Sequence, residues 1–342
     1  MLSPKRTLVF LIALVVFVVN VAGSPLFLVV ENGKFGYING SGKMIIKPHF
    51  TDAGHFSQGL APVKIDSKWG YINPAGTVAI KPQFDDADQF AEGLARIAIG
   101  DRFGYVDRVG TVAIKPAFDV ASYFNDGLAL VKSSGQWGFV NRTGDFAVKP
   151  RFDFANEFSE GLAAVPVNGK LGYIDRSGTF VIAPRFFLAG RFRRGLAVAA
   201  LERDSAYGFI DTHGNMVIKP TFSEAADFSD GLAPVKLNGK WGFINSTGHV
   251  VIRPRFNHAH GFSEGLAAVE INGKWGFIDR TGVLRIKPMF SEALAFQDGL
   301  AIVVRITGRG GGIAAPGLSI SDVSGTWGYI NRRGRYVWQS SD

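Results

Sequence analysis

The chain has 342 residues, of which 46% are apolar and 19% are charged, and it contains no cysteine. The missing thiols exclude disulfides, thiolate metal sites and a cysteine nucleophile. The formal net charge of +8 is a mild excess, and it argues against a nucleic-acid-binding arm. The 43 glycines and 29 phenylalanines indicate short apolar strands joined by many tight turns.

Residues 1–23 have the pattern of a secretory signal peptide. Lys5 and Arg6 form a basic start, residues 8–19 an apolar run, and residues 21–23 a small-residue cleavage site. The alternative is an uncleaved membrane anchor, but the apolar run is shorter than the roughly 20 residues that a spanning helix needs. We therefore expect cleavage before Ser24, no membrane span after it, and an exported mature chain.

An aromatic-Gly pair recurs along the rest of the chain, mostly every 34 residues, and defines nine repeats in a single domain over residues 24–342. Its glycines are Gly36, Gly70, Gly104, Gly138, Gly172, Gly208, Gly242, Gly276 and Gly328. Regular spacing of this kind is the signature of a repeat architecture. The last interval is longer, because about 18 residues are inserted at about 305–323.

Each repeat reads as three short antiparallel strands. Residues 265–271 alternate in polarity, Asn272-Gly273 is typical of a two-residue hairpin turn, and residues 275–278 form a second strand. The motif from Asp279 to Gly282 is typical of an Asx turn. A third strand then ends at a lysine-proline pair.

The connector between repeats carries apolar residues three apart, such as Phe222, Ala225 and Phe228, which predicts one helical or 3₁₀ turn. A single repeat buries too little apolar surface to offset the ordering of its chain, so neighbours must stack. The sequence therefore predicts an all-β tandem array of nine three-stranded meanders, either open and twisted or propeller-like. No repeat is split between the termini, which favours the open arrangement.

These residues resemble the WG-repeat proteins of bacteria, named for the Trp-Gly pair that is followed by an aromatic, an aliphatic, an Asx and a turn glycine. The resemblance covers essentially residues 24–338. It implies an exported or surface-associated repeat protein without a well-defined activity. The departures from the pattern are Phe35, Phe103, Leu171 and Tyr207 in the tryptophan position and Ala183 in place of the lysine before proline.

Few residues are candidates for chemistry. The six histidines occupy unrelated repeat positions, and we expect a structural or solvated role even for the pair His258 and His260, with a metal site as the alternative. Lysines before the prolines and acids before the Gly-Leu pairs predict two compensating surface rows. We predict no catalytic, cofactor-binding or metal-binding residues.

One group of arginines breaks that balance. Arg185, Arg191, Arg193 and Arg194 crowd around the fifth repeat, where Arg194 replaces the usual acid. Guanidinium groups bind planar anions, so these four are candidates for an anion contact; a solvated patch is the alternative. The glycine-rich insertion lacks a phosphate-loop motif, and we expect it to project from one rim as a mobile loop.

The sequence favours a non-enzymatic, exported scaffold, periplasmic, surface-bound or secreted. We expect it to bind a protein, a glycan or another envelope component, with an anionic ligand among the alternatives. Extended surfaces of this kind are what repeat arrays provide. The first alternative is an enzyme with its site at the insertion or in a central opening, which a convergent cluster of ionisable groups with shifted pKa values would favour. The second is a purely structural envelope protein without a specific ligand.

Overall fold

The computed structural model describes residues 24–310 and 312–340, so the predicted signal peptide lies outside the described residues. The described part of the chain contains strands and turns but no helix. Nine antiparallel sheets, one for each repeat, form a nine-bladed β-propeller. None of the described segments is a helix with the length and apolarity that crossing a bilayer requires.

Three strands are common to all blades, which we number 1–9 in chain order. The first strands are Leu26–Glu31, Ala61–Ile65, Leu94–Ile99, Leu128–Ser133, Ala163–Val167, Ala197–Ala200, Leu232–Leu237, Leu266–Ile271 and Leu300–Gly308. The second strands are Lys34–Asn39, Lys68–Ile72, Arg102–Asp107, Gln136–Val140, Lys170–Ile174, Tyr207–Ile210, Lys240–Asn245, Lys274–Asp279 and Ser324–Asn331. The third strands are Met44–Phe50, Val78–Phe84, Val112–Phe118, Phe146–Phe152, Phe180–Phe186, Met216–Phe222, Val250–Phe256, Leu284–Phe290 and Tyr336–Gln339. The predicted array of nine meanders is confirmed.

The connectors are not helical, and that prediction is wrong. In seven blades they add a fourth strand beside the first strand; these edge strands are Asp52–Ala53, Asp86–Ala91, Val120–Asn125, Leu188–Ala189, Glu224–Ala225, His258–Ala259 and Glu292–Ala293. In blade 5 the connector forms no such strand and keeps the bridge from Ser159 to Leu162, which also occurs at the equivalent residues of five other blades. The three-residue spacing that suggested a helix arises because an alanine and a phenylalanine flank a bulge, as the register shift between Ala87 and Phe90 shows.

The close approach of the third strand to the second explains the glycine of the aromatic-Gly pair. Trp275 pairs with Phe290 and Phe277 with Ile286, so one residue of the second strand faces three of the third. A methyl group on Gly276 would lie 2.6 Å from the Ile286 carbonyl oxygen and 2.7 Å from the Pro288 nitrogen. No other residue fits there, so the glycine is required wherever the third strand comes this close to the second.

Both predicted turns are confirmed. Asn272 and Gly273 have φ of 51° and 76°, as a two-residue hairpin turn requires. The Oδ1 of Asp279 accepts hydrogen bonds from the backbone N–H of Thr281 at 2.9 Å and of Val283 at 3.0 Å. The hydrogen bond from the Thr281 hydroxyl is the main cause that holds the pKa of Asp279 well below its ordinary value.

Buried side chains are shared between neighbouring blades. The cluster around Phe277 and Phe290 of blade 8 includes Ala301, Val303 and Ile330 of blade 9. Each blade therefore completes the core of the next, which is the energetic reason that repeats of this size stack.

Of the two arrangements that the sequence leaves open, the structure has the closed ring. In the last blade, the Tyr329 hydroxyl donates a hydrogen bond to the Leu28 carbonyl oxygen of the first blade at 2.9 Å. Phe27 and Val29 of blade 1 belong to the same buried cluster as Trp327 of blade 9. The absence of a split blade does not prevent closure, because side-chain packing joins the two ends.

The insertion in blade 9 forms a hairpin rather than a projecting mobile loop. Its strands Gly312–Ala315 and Leu318–Ser321 pair with each other. Ile313 is 5% exposed and belongs to the buried cluster at the junction of blades 9 and 1. The apolar residues of the hairpin, which the glycine-rich stretch obscures in the sequence, hold it against the core.

Candidate functional site

The connectors form the inner edge of the ring. The Ser159 hydroxyl donates to the Phe192 carbonyl of the next blade at 2.7 Å, and Ser263 donates to Phe296 at 2.7 Å. Asn125 makes the same link through its side-chain amide at 2.6 Å. Blades of a propeller diverge outward, so the edge at which consecutive blades are bonded together lies nearest the axis.

Two variable residues lie in each connector between an alanine and a phenylalanine that do not vary. The eight pairs, which we call the central positions, are Gly54-His55, Asp88-Gln89, Ser122-Tyr123, Asn156-Glu157, Gly190-Arg191, Ala226-Asp227, His260-Gly261 and Leu294-Ala295. None of these residues is fully buried. The phenylalanine that follows packs inside the blade, as Phe158 does on Phe139 with ring centroids 4.6 Å apart. The central positions therefore carry the chemical variety of the inner edge.

Charged groups meet between blades 3 and 4. Arg96 lies where other blades have an apolar residue in the first strand. It forms ion pairs with Asp88 and, at 3.1 Å, with Asp86, and its guanidinium lies 4.7 Å from the Phe103 ring centroid. Burial raises the pKa of Asp88 despite the opposing effect of Arg96. Burial, followed by the Asp88 charge, raises the pKa of Tyr123 to about 12.

A second group spans blades 5–7. Arg191 lies 3.0 Å from Glu157, and both side chains are mostly buried. Asp227 packs toward the preceding blade, where a methyl group on Gly190 would lie 3.2 Å from its Oδ1. Burial raises the pKa of Asp227 more than the charges of Arg193 and Arg191 lower it.

Two histidines complete the inner edge. His55 keeps an exposed side chain, and yet burial lowers its pKa. His260 stacks on Trp275 with centroids 4.6 Å apart, and burial, followed by the charge of His258, lowers its pKa. Within the described residues no three His, Cys, Asp or Glu side chains are grouped to hold a metal ion.

The four arginines singled out in the sequence are spread over three places. Arg185 is on a third strand, at the outer edge, where it donates to the Gly214 carbonyl at 2.5 Å. Arg191 and Arg193 are beside the Asp227 carboxylate at the inner edge, and Arg194 is in the turn that follows. The structure does not bring all four together, and their anion-binding role stays a prediction.

The two predicted charge rows lie at opposite edges of the blades. The lysines are exposed on the third strands, whereas the acids occupy the turns between edge strand and first strand. Several of these acids link consecutive blades; Glu92, for example, accepts a hydrogen bond from the Gly127 N–H at 3.0 Å. Arginines of the Asx turns also reach this row, as Arg176 does toward Asp126 at 3.7 Å.

The central positions were not identified in the sequence, although a signal for them is present. Aligning the connectors shows that two adjacent residues change from repeat to repeat while the alanine before them and the phenylalanine after them do not. Residues that vary between constant neighbours are not required by the fold of the blade. Arg96 carries a similar signal, since it is the one charged residue in a row of apolar ones.

The sequence profile of a protein family described as "WG containing repeat" matches eight stretches of the chain. They are residues 35–69, 69–102, 103–136, 137–170, 172–201, 207–241, 241–275 and 275–305. Each match begins in or just before a second strand, so together they run from blade 1 into blade 9. A search of curated protein sequences finds no match.

Solved structures with a similar fold include one titled "Crystal structure of the eukaryotic initiation factor". The TM-score is 0.62 at 11% identity, over 93% of this chain and 96% of that chain; the likeness concerns the fold alone. The dihydro-heme d1 dehydrogenase NirN in complex with DHE has a TM-score of 0.46 at 12% identity, over 90% and 75%. Virginiamycin B lyase from Staphylococcus aureus has 0.37 at 13%, over 64% and 89%. Neither of these two carries an argument about function.

Proposed function

Because the chain belongs to the family of proteins with the WG-containing repeat, and because its chemical variety is concentrated at the inner edge, we propose that it is an exported, non-enzymatic binding scaffold. The ligand is a protein, a glycan or another component of the cell envelope. It contacts the central positions at the mouth of the ring. One observation carries the proposal: in each connector the alanine and phenylalanine that build the blade are constant, while the two residues between them differ.

The chemistry of these positions supports recognition by hydrogen bonds. Gln89, Tyr123, Glu157, Arg191 and Asp227 follow one another in blades 3–7, and they supply donors and acceptors around one side of the ring. The central positions of blade 9, Leu294 and Ala295, are apolar. Carboxylates and guanidinium groups are both present, so the ligand would meet mixed charge. A polar, asymmetric opening of this kind suits a ligand with several polar groups.

The test compares two sets of substitutions in the mature chain. The inner set, Gln89→Ala, Glu157→Ala and Asp227→Ala, introduces the small side chain that blade 9 has at the same position. The outer set, Lys81→Ala, Lys115→Ala and Lys149→Ala, removes exposed lysines from three third strands. Affinity capture from envelope extracts and a glycan array identify the ligand of the unmodified chain. We expect the inner set to abolish its binding and the outer set to retain it; the reverse would refute the proposal.

Export is tested separately. Expression of the full chain in a bacterium, followed by fractionation and N-terminal sequencing, should yield a product outside the cytoplasm that begins near Ser24. Replacing Lys5 and Arg6 with glutamate should retain the product inside the cell, because the basic start of a signal peptide directs its insertion. A full-length product with an intact N-terminus, found in the cytoplasm, would disprove export.

The second candidate function is an enzyme with its site in the central opening. It is favoured by the shifted pKa values of Asp88, Asp227, His55 and His260, since perturbed titration is common at catalytic sites. Asp88, however, is already paired with Arg96, as a structural ion pair would be. Turnover of the captured ligand that disappears in an Asp227→Asn variant with retained binding would favour the enzyme.

A further inference from the structure

Consecutive blades are joined by a hydrogen bond that recurs around the ring and that we call the turn latch. The glycine of each Gly-Leu pair, at the start of a first strand, is called the turn glycine below. The residue before it has positive φ, as the glycine itself does, and the side chain of this residue accepts a hydrogen bond from the N–H of the turn glycine in the next blade. The pairs are Gln58 with Gly93 at 2.9 Å, Glu92 with Gly127 at 3.0 Å, Asp126 with Gly161 at 2.7 Å, Glu160 with Gly195 at 2.8 Å, Asp230 with Gly265 at 2.9 Å and Glu264 with Gly299 at 3.0 Å.

Between blades 6 and 7 the latch has no acceptor. Arg194 occupies the position of the acid, and a guanidinium has donors only. Its backbone conformation is nevertheless that of the sister residues, with φ of 53°, and its own N–H donates to Glu160 at 2.5 Å. Within residues 24–310 and 312–340, no side chain accepts a hydrogen bond from the Gly231 N–H. The backbone conformation of the latch is therefore retained at Arg194, while the accepting side chain is replaced by a cation.

Two guanidinium groups lie beside Gly231. A methyl group on Gly231 would lie 3.2 Å from Nη2 of Arg280 and 3.5 Å from Nη1 of Arg194. At five of the six latched glycines, Gly93, Gly127, Gly161, Gly195 and Gly299, no atom comes within 4 Å of that point; at the sixth, Gly265, one guanidinium nitrogen, Nη2 of Arg332, lies 3.7 Å from it. The carboxylate of Asp230, the residue before Gly231, accepts a hydrogen bond from the Gly265 N–H of the following blade.

The first turn glycine, Gly59, is an internal comparison. Its N–H also lacks an accepting side chain among the described residues, and Nη2 of Arg108 lies 3.5 Å from the position of its missing methyl group. The residue at the latch position of the preceding blade is Ser24, however, so only one guanidinium is present. Among the turn glycines that the structure describes, Gly231 is the one that combines an N–H without a side-chain acceptor with two neighbouring guanidinium groups.

We propose that Gly231, Arg194 and Arg280 form a binding site for the carboxylate of an aspartate or glutamate side chain on a partner polypeptide. In most of the other blades, the carboxylate of an Asp or Glu of this chain accepts a hydrogen bond from the equivalent N–H. Two guanidinium groups add charge-assisted hydrogen bonds to the partner carboxylate. The site lies at the end of an inner connector and contains no central position, so it extends the proposed scaffold by a second contact.

The experiment follows the Gly231 amide by NMR in the mature chain from Ser24, labelled with ¹⁵N. The probes are a short Gly-Ser peptide with one central glutamate, the same peptide with glutamine, and free glucuronate. We expect saturable movement of the Gly231 resonance with the glutamate peptide, and at least a tenfold weaker response with the glutamine peptide. No saturable movement would overturn the proposal, and a tighter response to glucuronate than to the glutamate peptide would replace the polypeptide partner with an acidic glycan.

Three variants test whether the latch position at Gly231 and Arg194 binds the glutamate peptide. Arg194→Gln imitates Gln58, which already caps the Gly93 N–H with a neutral amide, and should weaken binding of the glutamate peptide at least tenfold. Arg194→Glu should abolish it and raise the melting temperature, because the seventh latch then forms. The control Arg108→Gln should leave the affinity unchanged. If Arg194→Gln binds the glutamate peptide as tightly as the unmodified chain does, or if Arg194→Glu is not stabilised, the site is refuted. Loss of envelope-ligand binding in the inner-set variants is a separate result, because it concerns only the central positions.

Discussion

The hydroxyl of Tyr329 in the last blade donates to the carbonyl oxygen of Leu28 in the first blade at 2.9 Å. Elsewhere the equivalent tyrosine bonds to the next connector, as Tyr173 does to Gly190 at 2.7 Å. Blade 1 has no connector of its own among the described residues. In blade 2 the equivalent first-strand carbonyl accepts a hydrogen bond from the Gly54 N–H of the connector. In blade 1 the carbonyl accepts the tyrosine hydroxyl directly, and this bond replaces the one that an edge strand would make.

Tyr329→Phe should weaken the closure of the ring. Removing the hydroxyl leaves a buried carbonyl without its donor, which costs about 1–2 kcal/mol. Hydrogen exchange measured by mass spectrometry should accelerate in blades 1 and 9. The matched variant Tyr173→Phe removes the same kind of bond inside the ring and should accelerate exchange in blades 5 and 6 instead. Unchanged exchange in blade 1 of Tyr329→Phe would show that the bond does not hold the ends together.

The inserted hairpin should stabilise the same junction. Ile313→Ala removes a side chain that is 5% exposed, and we expect it to lower the free energy of unfolding by about 2–4 kcal/mol, in the range for buried aliphatic truncations. Ile99→Ala, at a position that is 48% exposed, is the control and should change stability by less than about 0.5 kcal/mol. Chemical denaturation measures both. Equal stability of the two variants would mean that the hairpin is only decoration.

Much of a blade can be predicted because its determinants are local. The φ values at Asn272 and Gly273 follow from residue type, and the 34-residue period gives the number of blades. The need for glycine after the tryptophan is not a local property. At Gly276 it arises because the bulge at Pro288 in the third strand lies against the backbone. Ring closure depends on Tyr329 and Leu28, which are about 300 residues apart, so no pattern within a repeat reports it.

The candidate site was harder to predict for a related reason. The central positions carry no motif, since their side chains differ from blade to blade, and Tyr123 or Asp227 alone looks like any surface residue. The arginines drew attention because they cluster in sequence, but Arg185 faces the outer edge and Arg191 is paired with Glu157. Proximity along the chain does not give the direction of a side chain when a strand and a bulge intervene.

Asp227 should make stability depend on pH. Burial raises its pKa in the folded chain above the ordinary value of 3.8, so the folded state holds the proton more tightly than the unfolded state. Stability attributable to this group is therefore lost as the pH rises from about that value through the raised folded pKa. Asp227→Asn should be more stable than the unmodified chain at pH 7 and no more stable at pH 3.5, measured by chemical denaturation. An equal gain at both pH values would exclude the titration of Asp227 as its cause.

Arg96 and Asp88 should behave as a coupled pair. Blade 4 has Leu130 and Ser122 in the equivalent positions, and the Leu130 N–H donates to the Ser122 hydroxyl at 3.1 Å. Arg96→Leu alone leaves two half-buried carboxylates without their cation, which we expect to cost about 2–3 kcal/mol, less than for a fully buried pair.

The double variant Arg96→Leu with Asp88→Ser transfers the blade 4 pair into blade 3. Because it removes the unpaired charge together with its partner, it should recover most of the stability that the single variant loses, and a double-mutant cycle measures the coupling directly. If the double variant is as unstable as Arg96→Leu, the ion pair with Asp88 is not the reason for the arginine. Its stacking on Phe103 and its contact with Asp86 would then account for the loss.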